Sequence, residues 1–384
     1  MIHTSRIAQA NYKPANKSTV PKASMLRASL ALGCSLLSLA LAPSVAKAQR
    51  FSQDGAQILF SRSDSSGGAA LAYANSDGSG VQMIPNSSGS SMGVWSPDGR
   101  FVLFVDANKN LRLFTRETQT TRVLTTGVEA PLSWREDGEA FAGIKVTQVG
   151  NQPPTRALCR FDIEGHILGS ASIGNLHVEP RYLLRWITNT DELAIFARNA
   201  EGTDCYVTDS NRMRRVTTSH DLRGLGMNAG GGHLIWARRG ENLRYIMMTL
   251  YRYDTVFSTV ERMPFPQRLP LLNPNAQTAP ESIQDVVFSR DGEHLLLTAV
   301  VKQSGASGLN LYSLNLDGSD MRFVHRFANS PSNIPAFPAQ FSYDGKRVVW
   351  QDQGTLFVSS ADGTGKNRIT LASTERKSQS VSLK

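Results

Sequence analysis

Five copies of one short pattern constrain the fold of this chain more than any other feature. Trp95-Ser96-Pro97-Asp98-Gly99 is echoed by Phe51-Ser52-Gln53-Asp54-Gly55, Trp134-Arg135-Glu136-Asp137-Gly138, Phe288-Ser289-Arg290-Asp291-Gly292 and Phe341-Ser342-Tyr343-Asp344-Gly345. Each aromatic-x-x-Asp-Gly copy is followed by a short apolar run: Gln57–Phe60, Phe101–Val105, Ala140–Ile144, His294–Thr298 and Arg347–Trp350. The pattern predicts a hairpin, because glycine takes the positive φ of a tight turn while aspartate accepts hydrogen bonds from nearby backbone amides. The aromatic is expected to point inward and wedge between neighbouring units, a packing role. A second hairpin recurs further along, as Asn75-Ser76-Asp77-Gly78-Ser79, Asn315-Leu316-Asp317-Gly318-Ser319 and Ser360-Ala361-Asp362-Gly363-Thr364. Two hairpins per repeat make four strands, the content of one propeller blade.

Two weaker copies fill the gap between residues 140 and 288. Trp186-Ile187-Thr188-Asn189-Thr190-Asp191 precedes Glu192–Ala197, and Met227-Asn228-Ala229-Gly230-Gly231-Gly232 precedes His233–Ala237. The repeat starts then fall at 51, 95, 134, 186, 227, 288 and 341. Most of these spacings reach or exceed the roughly 40–45 residues of a four-stranded blade, which places the excess in loops. The longest interval holds Arg262–Pro280, whose five prolines read as an extended excursion rather than a strand. The expected fold is all-β: a β-propeller of about seven four-stranded blades, with six as the alternative.

Trp95–Arg100 matches in full, and the other clear copies without the proline, an aromatic-Ser-Pro-Asp-Gly start. With the later Asp-Gly-Ser hairpins, the chain resembles the TolB-like family of WD-type propeller repeats over most of 49–375, in the propeller part only. The resemblance implies the fold and little about function, since such propellers serve as binding modules, enzyme lids and enzymes.

Residues 1–48 contain six of the 41 basic residues and none of the 32 acidic ones. An apolar or small run from Leu30 to Ala42 is broken by Pro43, and Ala46-Lys47-Ala48 supplies the small-x-small pattern of a signal-peptidase site, so residues 1–48 read as a signal peptide cleaved after Ala48. Met25 followed by Leu26-Arg27 is an alternative true start, and Cys34 sits in a poor lipobox because the apolar run continues past it. The expected organisation is a leader, one propeller domain over 49–373 and a disordered tail over 374–384, in a periplasmic or secreted, monomeric product with no membrane span after cleavage. Removal of the leader reduces the formal charge from +9 to +3, which removes the argument for a nucleic-acid partner.

The search for chemistry is sparse. His166, His177, His220, His233, His294 and His325 are scattered, and no Cys/His spacing suits zinc. No Gly-x-Ser-x-Gly elbow is present, and the Asp-Gly turns offer only part of a calcium-ligand set. The reading therefore assigns no catalytic residue, cofactor or metal. Cys159 and Cys205 sit in equivalent strands of adjacent repeats, as a bridge across two blades or as two buried thiols. One cluster stands out: Arg212, Arg214, Arg215, Arg223, Arg238, Arg239, Arg244 and Arg252 against Asp221 and Glu241. Arginine forks bind carboxylates and phosphates, so Arg212, Arg214, Arg238 and Arg239 are candidates to hold an anionic partner. Strand alternation allows only every second member onto one face.

Two functions remain open. The first is a non-enzymatic scaffold that binds a protein or cell-envelope component. The second is a propeller enzyme acting on a glycan or lactone, in the manner of oligogalacturonate lyases.

Overall fold

The computed structural model describes residues 49–51, 56–63, 68–90, 92–178, 184–187, 190–209, 211–218, 220, 222–227, 233–239, 248–254, 259–262, 280–289, 291–303, 306–328, 339–342, 345–352 and 355–369. Within them lie seven four-stranded antiparallel sheets, each built from four consecutive strands, and no helix. The blades span 49–83, 93–125, 128–172, 184–215, 222–262, 280–327 and 339–369, and are numbered 1 to 7. The repeat starts at 186 and 227, degenerate in sequence, head true hairpins. The expected leader over 1–48, the expected tail over 374–384 and most of the proline-rich excursion lie outside the described residues.

The strands after each Asp-Gly turn fall where the apolar runs place them, at Gln57–Ser63, Phe101–Val105, Ala140–Thr147, His294–Gln303 and Arg347–Asp352. They are apolar on both faces because each blade is packed on both sides, and alternation along the strand divides the work. In blade 1, Ile58 and Phe60 pack against Val349, Leu356 and Val358 of blade 7. Leu59, between them, turns the other way and packs with Trp95, Val102 and Phe104 of blade 2. Every seam of the ring holds one such cluster. Each fully buried large apolar side chain contributes about 1.5–3 kcal/mol, so the seams carry most of the fold's stability.

The motif aromatics sit in these seams. Trp95 is buried and meets Tyr73 of blade 1 edge to face, with ring centroids 5.8 Å apart. Trp134 stacks on Phe101 of blade 2 and donates its indole N–H to the Val94 carbonyl at 3.3 Å. Trp186 donates likewise to the Ser133 carbonyl at 3.2 Å. Phe288 is buried between blades 5 and 6, and Phe341 packs at the seam of blades 6 and 7. The side chain of Phe51, together with Asp54, Gly55 and Asp344, lies outside the described residues.

Blades 7 and 1 meet through their inner strands and, among the described residues, close the ring without exchanging a strand. Besides the apolar cluster, Arg347 Nη1 donates to Ser76 Oγ at 3.0 Å across this seam. Cys159 and Cys205 are both buried and free. The bridge alternative fails for a geometric reason: Cys159 faces the seam of blades 2 and 3, Cys205 that of blades 4 and 5, and a further seam lies between. Burial pushes both thiols above the ordinary range.

Candidate functional site

The first hairpin of each blade sits at the inner end of one face of the ring. Its Asp-Gly turn is a small closed network. In blade 2, Ser96 Oγ donates to Asp98 Oδ1 at 2.6 Å, the Arg100 amide donates to the same oxygen at 3.0 Å, and Ser96 Oγ accepts the Phe101 amide at 2.9 Å. Gly99 has φ 69°, the left-handed value the turn requires. The second hairpin stands on the same face and leans on the first: the amides of Ser76, Arg116, Leu316 and Ala361 donate to carbonyls of Ala56, Arg100, Glu293 and Lys346. The face is thus a rim of paired turns around the propeller axis.

The first-turn aspartates of blades 2 and 3 are neutralised locally. Burial pulls the Asp98 carboxyl up, but the donors from Ser96 and Arg100 outweigh it and hold the group below the usual carboxylate range. Asp137 behaves alike, with Arg135 and the Glu139 amide outweighing burial. Arg135 also reaches Asp191 of blade 4 at 3.0 Å.

Blade 6 departs from this arrangement. Its turn keeps the same hydrogen bonds, since Ser289 Oγ and the Glu293 amide donate to Asp291 Oδ1 and the His294 amide donates to Ser289 Oγ. Where blade 2 has Arg100 and Phe101, however, blade 6 has Glu293 and His294. Among the described residues, Asp291, Glu293 and His294 are the one set of three ligand-bearing side chains whose donor atoms all lie within 4.8 Å of one another, and no basic side chain pairs with Asp291. His294 Nδ1 lies 3.2 Å from Asn315 Oδ1, and Asn315 Nδ2 donates to Ser319 Oγ at 2.9 Å. The amide oxygen therefore faces the ring, Nδ1 carries the proton, and Nε2 presents a lone pair, as in metal-binding histidines whose second nitrogen is held by an outer partner. One imidazole and two carboxylates suit a first-row divalent ion such as manganese. A Cβ built at Gly345 in the neighbouring turn would stand 3.4 Å from Asp291 Oδ2 and 3.9 Å from His294 Cδ2, which places the turn of blade 7 directly beside the set. The sequence reading took Asp291 as a turn residue and His294 as one of six scattered histidines, and did not join them with Glu293. The signal was Glu-His in the two positions after the glycine, found in no other copy.

The arginine candidates separate. Arg212 and Arg214 are both exposed on the outer strand of blade 4, as alternation requires, while Met213 packs inward. Arg215 turns back to the fully buried Asp204 at 2.6 Å and to Glu201 at 3.1 Å, and is part of the blade. Arg238 and Arg239 lie in the second strand of blade 5, with side chains outside the described residues.

No protein-family model matches the chain, and no curated protein is similar to it in sequence. Solved structures are similar in fold. An oligogalacturonate lyase in complex with manganese aligns with a TM-score of 0.59 at 14% identity, over 81% of this chain and 86% of the lyase. The β-propeller domain of the Trilobed protease from Pyrococcus furiosus, described as having an open velcro topology, aligns with a TM-score of 0.54 at 15% identity, over 85% and 96% of the two chains. An acylaminoacyl peptidase from Pyrococcus horikoshii aligns at 0.54 and 12% identity over 85% of this chain, which spans about half of that enzyme. At these identities the likeness shows the fold: this is a β-propeller. The expectation of a non-enzymatic scaffold is corrected by the same comparison, because the lyase and the peptidase are enzymes and favour the enzyme alternative over the scaffold.

Proposed function

We propose that this chain is a β-propeller enzyme acting on a glycan, with a divalent cation held at the rim of blade 6 by Asp291, Glu293 and His294. The observation that carries the reading is that set itself: an aspartate left without a basic partner among the described residues, a glutamate and an imidazole with its Nε2 lone pair free, at the inner end of a blade. The manganese-bound oligogalacturonate lyase of similar fold supports both the substrate class and the ion. A divalent ion there would act as a Lewis acid on a substrate oxygen or carboxylate. The protein's own part is positioning: Asn315 fixes the imidazole tautomer, and Ser289 and the Glu293 amide hold Asp291 at its Oδ1 so that Oδ2 stays turned toward blade 7.

The test pairs binding with turnover. Calorimetric titration of the full chain with manganese should give one site, abolished in His294→Ala and retained in Asp98→Asn. Incubation with acidic and neutral oligosaccharides should then release fragments, detected as new reducing ends or as ultraviolet absorbance of a new C=C bond, and lose them in the presence of a chelator. Absence of manganese binding would remove the site, and absence of turnover on any glycan, with metal bound, would remove the activity.

We also infer that the protein is a TolB-like propeller exported to the periplasm, on the strength of the repeat starts and the acid-free leader. Mass spectrometry of the product from a Gram-negative host should find its N-terminus at Gln49. An uncleaved cytoplasmic product would exclude export.

A further inference from the structure

The seam of blades 6 and 7 is fastened at its outer end by a polar group set among aromatic rings. His325, on the outer strand of blade 6, is 8% exposed and reaches across to blade 7. Its Nε2 lies 2.9 Å from Asp352 Oδ2, at the end of the second strand, and its Nδ1 lies 2.8 Å from Lys366 Nζ, one residue before the outer strand Asn367–Ile369. An ammonium has only donors to offer. Nδ1 must therefore hold a lone pair, Nε2 must carry the proton and donate it to Asp352, and the imidazole is neutral. Phe327, Trp350 and Phe357 surround the ring at 5.2, 5.3 and 5.5 Å between centroids. Lys366 lies over Phe357 and Trp350, with Nζ at 4.9 and 5.5 Å from their centroids. Asp352 accepts the Ala328 amide as well. Among the described residues, Asp352 and Lys366 are the charged groups facing the imidazole; its own strand and the second and third strands of blade 7 otherwise present aromatic rings.

We propose that Lys366, His325 and Asp352 form an acid-sensitive clasp, in which protonation of His325 expels Lys366 and frees the outer strand of blade 7. The proton comes from solvent and adds to Nδ1, which changes from acceptor to donor and meets the ammonium as a like charge. Asp352 stays paired with the imidazolium through Nε2, so the histidine remains in place and the lysine leaves. Burial holds the imidazole below its ordinary value, with Lys366 adding to the effect and Asp352 opposing it. The unfolded chain thus takes up the proton first. The clasp is complete above about pH 6.5 and is lost as the pH falls through the lower folded value. Its outer strand is short, three residues with exposed Asn367 and Arg368, so few other contacts retain it. The proposal does not depend on the enzyme reading, although the inner end of the same seam carries Asp291 and Gly345.

Hydrogen exchange of the full chain, followed by mass spectrometry and corrected for the intrinsic pH dependence, tests it at about pH 7.5 and about pH 5. In the wild type, residues 355–369 should lose about tenfold or more in protection on acidification while blades 2 and 3 keep theirs. In His325→Gln, which cannot titrate, the loss should vanish. In Lys366→Met, which leaves the buried pair intact and changes an exposed residue, protection should be low at both pH values. An acid loss that persists unchanged in either variant, that spreads over all blades, or that is absent from the wild type would overturn the clasp.

Discussion

The first turns of blades 2 and 6 share one backbone and differ in the two residues after the glycine. Both place a serine hydroxyl and a backbone amide on one aspartate oxygen. In blade 2, Arg100 closes on the second oxygen and the turn is electrically complete. In blade 6, Glu293 occupies that position and His294 the next, so the same turn holds two carboxylates beside an imidazole. The difference teaches that the aspartate of the motif is structural in both copies, and that its two successors past the turn decide whether it is closed by an arginine or left beside a second carboxylate and an imidazole. A fold built by repetition can thus specialise one copy without altering the backbone that positions it.

The most disruptive way to break the comparison is to remove the aromatic on which the turn of blade 2 stands. Trp95→Ala should destabilise the protein by about 3–5 kcal/mol, as truncation of a buried aromatic does, measured by urea or thermal unfolding with metal-free protein. The next largest effect should separate the turns: Asp291→Asn should weaken manganese binding by at least about tenfold, which is 1.4 kcal/mol, whereas Asp98→Asn should leave it unchanged by calorimetry. Glu293→Arg gives blade 6 the residue of blade 2 at that position and should abolish manganese binding with the melting temperature preserved. The smallest effect concerns the inert turn. Asp98→Asn should cost about 1 kcal/mol or less at neutral pH, because the hydrogen bonds are partly exposed. The folded carboxyl lies below its unfolded value near 3.9, so this contribution is present above that pH. It should disappear as the pH falls through the folded value, seen as convergence of the two unfolding curves in acid.

Much of this architecture was readable because it is local. An aromatic, an Asp-Gly turn and an alternating strand lie within a dozen residues, so five hairpins and the exposed pair Arg212 and Arg214 follow from spacing and period alone. Blade 5 was harder, as its turn has lost the aspartate and retains only glycines and a following strand. The Glu293-His294 pair was also local, and its meaning rested on a contrast between copies rather than on a motif. What sequence spacing could not supply was contact at a distance. His325 and Asp352 are 27 residues apart in different blades, and Asp204 recruits Thr217 and His220 from the link to blade 5. Such pairs exist only once the sheets are stacked. The two cysteines show the same limit: they lie in equivalent strands of successive repeats but on opposite faces, because neither strand's register was visible without its partner.

Closure of the ring with no strand shared among the described residues has a mechanical consequence. Every other junction between blades is reinforced by a covalent link, whereas the junction of blades 7 and 1 rests on side chains: Ile58 and Phe60 against Val349, and Arg347 on Ser76. The molecule is topologically a line of seven units bent until its ends touch. Under tension applied at the chain ends it should part there first, then shed whole blades in order from either side, and each released blade is a contiguous stretch of chain that can rewind without rethreading.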